Sequence, residues 1–194
     1  QQVSCLEAED YTELGFVMFS EDFAGQDAPH DGLQNSGFSV VDPEAPDFAW
    51  HTHGTVAVTQ GRAVLNEGPL LFSDLSQVFA LPGNIGNLSF TIVELSFSTP
   101  DAAPPDVFEA ALLDIESGQS AAGTAQGLGN TDAFLNIQPD GTVFFAPGVS
   151  FSRYPLLRSG DSVPLDAPID VEVETIATSL TRGDAALTKP PPGK

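Results

Sequence analysis

Basic residues are scarce in this sequence. It holds 6 Lys and Arg side chains against 27 Asp and Glu, a formal net charge of −21. Nucleic acids and anionic membrane surfaces attract proteins mainly through Lys and Arg, so this balance argues against both as partners. A large acid excess strains the compact state by self-repulsion, and bound cations relieve that strain. Calcium, which takes about six to eight oxygen ligands, is the cofactor such a chain suits best.

Cysteine is nearly absent too: Cys5 is the only one in 194 residues. An intrachain disulfide is therefore excluded, while a single thiol can pair with a second chain or stay inert. No apolar run approaches the ~20 residues that a membrane-spanning helix needs, so membrane insertion is not expected. The opening residues, Gln1, Gln2 and Val3, resemble a mature end left by signal-peptide removal. We therefore expect a secreted or cell-surface protein.

Planar aromatic side chains other than Phe are few: Trp50, Tyr11 and Tyr154, beside 14 Phe. Sugar-binding faces need exposed planar rings, whereas Phe in strand patterns mostly belongs to a core. Trp50 and Tyr154 are thus candidate contacts for a polysaccharide, and their scarcity weakens that interpretation. Catalytic motifs are also sparse, since the sequence has no Gly-x-Ser-x-Gly elbow and no phosphate loop. The sequence predicts no enzyme, and a secreted hydrolase is the third alternative.

Short apolar or alternating runs, separated by Gly, Pro, Asn and Asp, predict an all-β protein. Their spacing of about 8–12 residues is typical of a sandwich or barrel. About ten strands are predicted: Leu14–Ser20, Gly37–Val41, Thr55–Gln60, Ala63–Asn66, Ser76–Ala80, Asn87–Phe97, Val107–Ile115, Ala133–Gln138, Thr142–Ala146 and Ile169–Ile176. Ser117–Asn130, rich in Gly, Ala and Ser, predicts a loop.

Three local patterns refine the prediction. Pro, Asp and Gly within Gln138–Thr142 predict a hairpin between two apolar runs. In Ile169–Thr175 apolar and acidic residues alternate, which indicates one core face and one wet face. Within Asn87–Phe97 the apolar pattern changes parity, so we expect a bulge near Val93–Glu94.

A family resemblance extends from Asp22 to about Ser152. The residues that carry it are Glu21-Asp22-Phe23, Ser36–Val40, Gly61–Glu67, Ser73–Phe79, Leu88–Phe90, Pro105–Asp114, Asp132–Ile137 and Asp140-Gly141-Thr142. In order and spacing they resemble bacterial extracellular jelly-roll modules of secreted, cell-surface and polysaccharide-linked proteins. The resemblance implies a jelly-roll β-sandwich of antiparallel strands, often with a structural calcium, similar to carbohydrate-binding modules. It identifies no ligand.

Acidic residues on the predicted strands are the candidate calcium ligands. Glu109 shares its strand face with Val107 and Ala111, and a carboxylate among apolar neighbours is costly unless it is paired or bound to a metal. Because so few Lys and Arg side chains are available to pair with it, we expect a metal cation to bind this carboxylate. The candidate ligands are Glu109, Asp106, Asp22, Glu21 and Asp170. The alternative is that these are solvated carboxylates at strand ends.

Two histidines form a second candidate site. His51 and His53 would share one face of an extended segment, at a spacing compatible with a transition metal. No third ligand stands nearby, since His30 is distant in sequence. Solvent-exposed loop histidines are therefore the preferred interpretation.

The two ends of the chain lie outside the resemblance and suggest an assembly role. A sandwich with an incomplete sheet exposes unpaired edge groups, and a terminal segment of the next subunit can fill that edge by donor-strand complementation. We favour Thr12–Ser20 as the donor, with Phe16, Val17, Met18 and Phe19 as subunit contacts. The alternatives are Ile176–Leu187 as the donor, or Leu14–Ser20 as the first strand of its own sandwich.

These observations divide the chain into an N-terminal segment (1–20), a jelly-roll sandwich (21–178) and a C-terminal tail (179–194). The leading hypothesis is a non-catalytic, calcium-stabilised structural subunit that self-associates into an extracellular filament, matrix or surface layer. The alternative is a carbohydrate-binding or adhesive module of a secreted protein.

Overall fold

Every regular element in the computed structural model is a β-strand. The structure describes residues 12–16, 30–59, 61–66, 72–80, 88–97, 106–115 and 117–174. The strands are β1 (Thr12–Phe16), β2 (His30–Asp31), β3 (His51–His53), β4 (Thr55–Thr59), β5 (Arg62–Asn66), β6 (Ser73–Ser76), β7 (Phe79–Ala80), β8 (Leu88–Ile92), β9 (Asp106–Ala110), β10 (Leu135–Ile137), β11 (Val143–Phe145), β12 (Val149–Phe151) and β13 (Ile169–Val173). The all-β prediction is confirmed for these residues, none of which belongs to a helix able to cross a bilayer.

The strands form two larger sheets and two small ones. The larger sheet has six strands in the order β11-β10-β9-β1-β6-β3, and the second has three in the order β12-β13-β8. Two-stranded ladders join β2 to β7 and β4 to β5. The Ser73 hydroxyl connects the β4-β5 pair to β6, because it donates to the Asn66 carbonyl (2.7 Å) and accepts from the Thr55 amide (2.8 Å).

One hydrophobic core lies between the two larger sheets. Ile137 and Val143 from the six-stranded sheet and Val171 from the three-stranded sheet belong to a single buried cluster. Aromatic pairs cross the same interface, with ring centroids 6.2 Å apart for Phe90 and Phe134. Two sheets that bury their facing sides against each other make a sandwich-like architecture. The alternation predicted for Ile169–Thr175 is confirmed over β13, where Ile169, Val171 and Val173 are all buried, while Thr175 lies outside the described residues.

Strand directions differ from the prediction of about ten antiparallel strands. β1 runs parallel to both of its neighbours, β6 and β9, and β2 runs parallel to β7. The described strands number thirteen, many of them only two or three residues long. Alternation identifies a strand but says nothing about its partner, and parallel partners are joined by long connections that leave no local signal.

Gly37–Val41 is not a strand, although its sequence predicts one. Asn35 has a left-handed backbone (φ 46°), and its side chain accepts from the Val40 amide (3.0 Å) and donates to the Val40 carbonyl (2.9 Å). A second left-handed residue, Phe38 (φ 50°), bends the same segment. Side-chain hydrogen bonds of this kind offer the backbone an alternative to a ladder. Asn35 therefore closes residues 35–40 into a loop.

The bulge expected near Val93–Glu94 is replaced by the end of a strand. β8 stops at Ile92, and the Leu95 amide donates instead to the Leu165 carbonyl (3.4 Å). Leaving the sheet changes the direction of the backbone, so the apolar residues on either side of this point need not share one alternation. The change of parity in the apolar pattern of Asn87–Phe97 therefore marks the end of β8 instead of a bulge.

The hairpin predicted at Gln138–Thr142 is confirmed. β10 pairs antiparallel with β11, and the Gly141 amide donates to the Gln138 carbonyl (2.9 Å). Gly141 has φ +82°, and a Cβ at this position would lie 2.5 Å from the carbonyl oxygen of Val163. Backbone conformation and close approach both require glycine here.

Two leucines of identical chemistry test where the core lies. Leu135 is 0% exposed and Leu156 is 91% exposed. We expect Leu135→Ala to lower the free energy of unfolding by about 2–5 kcal/mol, because it leaves a cavity. Leu156→Ala should change it by less than about 0.5 kcal/mol. Chemical denaturation of both variants measures this, and equal losses would contradict the assignment of the core.

Candidate functional site

Glu109 occupies the middle of the six-stranded sheet. It lies on β9, where it pairs with Asn136 of β10. Its face of β9 also carries Val107, and both residues are only 1% exposed. The carboxylate that the sequence places among apolar neighbours is therefore buried.

The hydrogen bonds of Glu109 are incomplete. The Asn136 side-chain amide donates to Oε1 of Glu109, and the Gln138 amide donates to Oδ1 of Asn136 (2.5 Å). These three side chains form a chain of donors and acceptors across β9 and β10. The second carboxylate oxygen, Oε2, has no hydrogen-bond partner. Because a buried polar atom without a partner is destabilising, this oxygen marks a position suited to a proton or a cation.

Burial dominates the electrostatics of this site. It raises the pKa of Glu109 above its ordinary value, and the nearby negative charge of Asp132 adds to the rise. The Asn136 amide and the Thr131 hydroxyl oppose it. Partial burial also raises the pKa of Asp132. Two carboxyl groups that both disfavour negative charge can share a bound cation, which would stabilise their charged forms.

The other predicted calcium ligands do not join Glu109. Asp106 is buried at the start of β9, but its odd spacing from Glu109 places it on the opposite face of that strand. Asp170 lies on β13 in the other sheet, where it contacts Arg153 (3.2 Å) and accepts from Thr91 (2.8 Å). Glu21 and Asp22 lie outside the described residues. Within the described part of the chain, no three His, Cys, Asp or Glu side chains gather as a metal site.

Asp74 is a second buried carboxylate, and no local sequence pattern identifies it as a candidate ligand. It lies on β6, opposite His53 of β3, and its Oδ2 is 3.3 Å from Nδ1 of that histidine. Burial raises the pKa of Asp74, while the charge and proximity of His53 lower it. Only the pairing of β3 with β6 brings Asp74 and His53 together, and these two residues are 21 positions apart in the sequence.

Trp50 and Tyr154, the candidate polysaccharide contacts, are both half-buried. The Trp50 ring packs beside Phe38 with centroids 5.4 Å apart, and its Nε1 donates to the Asn35 carbonyl (3.2 Å). Tyr154 follows β12 and packs against the hydrophobic core. Both rings therefore support the local fold, which leaves less of each ring for a sugar.

The predicted subunit contacts fall partly within the described chain. Phe16 is the last residue of β1, while Val17, Met18 and Phe19 lie outside the described residues. β1 belongs to the N-terminal segment 1–20, yet it forms the fourth strand of the six-stranded sheet. Thus the backbone of this segment completes the sheet, as a first strand or a donor strand would.

The raised pKa of Glu109 predicts a pH-dependent effect of Glu109→Gln. A raised pKa means that this group favours folding below its ordinary pKa of 4.5 and that the contribution is lost as pH rises through the raised value. In chelator at pH 7, we expect Glu109→Gln to increase the free energy of unfolding by about 1–3 kcal/mol. The gain should shrink as pH falls from the raised pKa of Glu109 toward 4.5, and it should be nearly gone below 4.5, where both the folded and the unfolded chain hold the proton.

Urea unfolding between pH 4 and pH 7 measures this difference, with Glu94→Gln as the exposed control. The control should shift stability by less than about 0.5 kcal/mol at every pH. A Glu109→Gln variant that is less stable than the parent at pH 7 in chelator would contradict the account of Glu109.

Comparisons of the chain with models of protein families, with curated protein sequences and with solved structures found no match. The resemblance to extracellular jelly-roll modules rests on the sequence motifs and stays a prediction. Three features of the described structure bear on function: the position of β1, the buried carboxylate of Glu109 and the pairing of Asp74 with His53.

Proposed function

We propose that this chain is a non-catalytic structural subunit of an extracellular assembly whose subunits are joined by exchange of β1. One observation carries the proposal. β1 lies between β9 and β6 and runs parallel to both, so it is the only strand connecting the β11-β10-β9 part of the described sheet to the β6-β3 part.

The backbone of β1 pairs with a neighbouring strand on each side. Thr12 and Glu13 are in register with Asp106 and Val107 of β9, and Leu14 and Phe16 are in register with residues of β6. Without β1, the facing edges of β9 and β6 would present unpaired N–H and C=O groups. Such edges are destabilising when buried and attract another strand when exposed.

A second copy of the chain can supply the same strand. Residues 17–29 separate β1 from β2, and thirteen residues span at most about 45 Å when extended. Swapping an identical element preserves its hydrogen bonds, so exchange has a low energetic cost. A head-to-tail contact that does not close on itself propagates into a filament. In this arrangement Phe16, Val17, Met18 and Phe19 would contact the acceptor subunit.

Calcium fits the same proposal through Glu109. Its unpartnered Oε2, the Asp132 carboxylate and the Thr131 hydroxyl are oxygen donors of the kind that calcium prefers. Of the ligands predicted from the sequence, this site keeps only Glu109, and backbone carbonyls or water would complete it. Bound calcium would offset part of the −21 charge, whose self-repulsion opposes packing of many copies.

The jelly-roll relationship and the extracellular location remain part of this proposal. Two sheets around one core support the first, and the excess of acidic over basic residues accords with the second. Carbohydrate binding is the weaker candidate, because the Trp50 indole N–H is directed to the Asn35 carbonyl and Tyr154 packs on the core.

Strand complementation tests the proposal. We expect a chain that lacks residues 1–16 to bind a synthetic Thr12–Ser20 peptide, because the peptide restores pairing on both sides of the gap. The same peptide with Leu14→Pro is the matched control, and it should bind far more weakly because proline removes a backbone donor from a central strand. Isothermal titration calorimetry and thermal denaturation measure the binding.

The full-length chain should form concentration-dependent oligomers, visible by light scattering and electron microscopy. The shortened chain with the peptide should remain monomeric, because its donor strand cannot link to another copy. If the 194-residue chain stays monomeric at all concentrations, exchange of β1 between subunits is refuted, even where the shortened chain binds the peptide. A shortened chain that does not bind the peptide would contradict the role of β1 in the sheet.

Calcium binding is tested by the same measurement of stability. At a calcium concentration of about 100 times Kd, binding should add about 2.7 kcal/mol to the free energy of unfolding. Glu109→Gln and Asp132→Asn should each remove most of that gain, whereas Glu94→Gln should retain it. An equal gain in all four proteins would indicate general screening of charge instead of a site.

A further inference from the structure

The two histidines of β3 lie on one exposed side of a short strand at the end of the six-stranded sheet. β3 is the last strand in the described order, and all three of its residues are exposed. His51 is opposite Ser76 and His53 is opposite Asp74 of β6. Because side chains alternate along a strand, residues i and i+2 point the same way, with Cα atoms about 7 Å apart. β3 therefore has the extended backbone that places His51 and His53 on the same side of the strand.

Asp74 lies beside the imidazole of His53 and restricts its orientation. The Asp74 side chain is only 6% exposed and that of His53 is 48% exposed, with Oδ2 and Nδ1 3.3 Å apart. His53 also packs against Phe72, with ring centroids 4.7 Å apart. A carboxylate beside Nδ1 favours the tautomer that holds its proton there. Nε2, on the opposite side of the imidazole, is then left as an electron-pair donor.

The burial of Asp74 has a physical cost that a metal would offset. Its Oδ2 has no hydrogen-bond partner of good geometry, and burial disfavours the charged carboxylate. The anion is stabilised when the neighbouring imidazole carries positive charge. A metal ion bound to Nε2 of His53 would make the imidazole more positive and so stabilise the Asp74 carboxylate. Metal-bound histidines in proteins commonly have a carboxylate on their other ring nitrogen.

We propose that His51 and His53 bind one divalent transition-metal ion, with Asp74 as the positioning residue for His53. Imidazole nitrogen suits zinc, copper and nickel, whereas calcium prefers oxygen. Water would fill the remaining coordination positions. This site is therefore chemically distinct from the calcium site proposed at Glu109, which lies on a different pair of strands, β9 and β10.

A titration of the full chain with nickel chloride tests the proposal. Isothermal titration calorimetry at high salt is the appropriate measurement, because salt screens the general attraction of cations to an acidic protein. One nickel ion should bind per chain. His51→Ala and His53→Ala should each abolish saturation in the range where the parent chain saturates. His30→Ala is the matched control from the third histidine and should bind as the parent does.

Asp74→Asn separates positioning from folding. It keeps the shape of the side chain but removes its charge, and loss of such a partner weakens metal affinity by about 10–100-fold. Copper(II) electron paramagnetic resonance provides a second measure, since nitrogen hyperfine lines count the coordinated imidazoles. The parent should show two nitrogens, each histidine variant one, and Asp74→Asn two with weaker binding. Circular dichroism should show the same fold in all variants.

Three results would overturn the proposal. The first is equal nickel binding by the parent chain and both histidine variants. The second is a parent copper spectrum without nitrogen coordination. The third is binding that vanishes at high salt in the parent, which would indicate general adsorption to acidic residues. An unchanged nickel affinity in Asp74→Asn would remove Asp74 from the site and leave the two histidines.

Discussion

Backbone pairing along both sides of β1 holds the larger sheet together. Without β1, the β11-β10-β9 strands and the β6-β3 pair would be two separate ladders, each with an open edge. Parallel pairing cannot be made by a tight hairpin, so this connection requires a segment that arrives from a distance along the sequence. Residues 12–16 meet that requirement within one chain. The same requirement is met equally well by those residues from a second chain, and this equivalence links the fold to the proposed assembly.

Glu109 and Asp74 share one physical constraint. Each is a nearly fully buried carboxylate, and each has an oxygen without a hydrogen-bond partner. A folded chain retains such groups at a loss of stability unless positive charge is supplied. Their surroundings differ, because Glu109 meets side-chain amides and a second carboxyl group while Asp74 meets an imidazole. The former suits a hard cation bound by oxygen, and the latter suits a metal bound by nitrogen.

The acid excess gives both proposals a common consequence. Asp170 pairs with Arg153. With 27 acidic and only 6 basic residues, there are too few arginines and lysines to pair with most of the other carboxylates. Copies that pack closely in an assembly would repel one another. Cations bound at defined positions reduce that repulsion locally, so assembly and metal binding are expected to strengthen together.

Local pattern determined several parts of this protein. The apolar alternation of β13, the hairpin at Gly141 and the charge of −21 follow from residues that are neighbours in sequence. For Glu109 the apolar strand neighbours left two alternatives, a partnered buried carboxylate or a solvated one, and the structure shows that the residue is buried. Tertiary structure decided the rest: Asn35 closes a loop where a strand was expected, β1 pairs parallel, and Asp74 meets His53. These depend on which distant strands lie side by side. Alternation carries no information about the partner of a strand, because the same backbone N–H and C=O groups can pair with any strand that lies beside them.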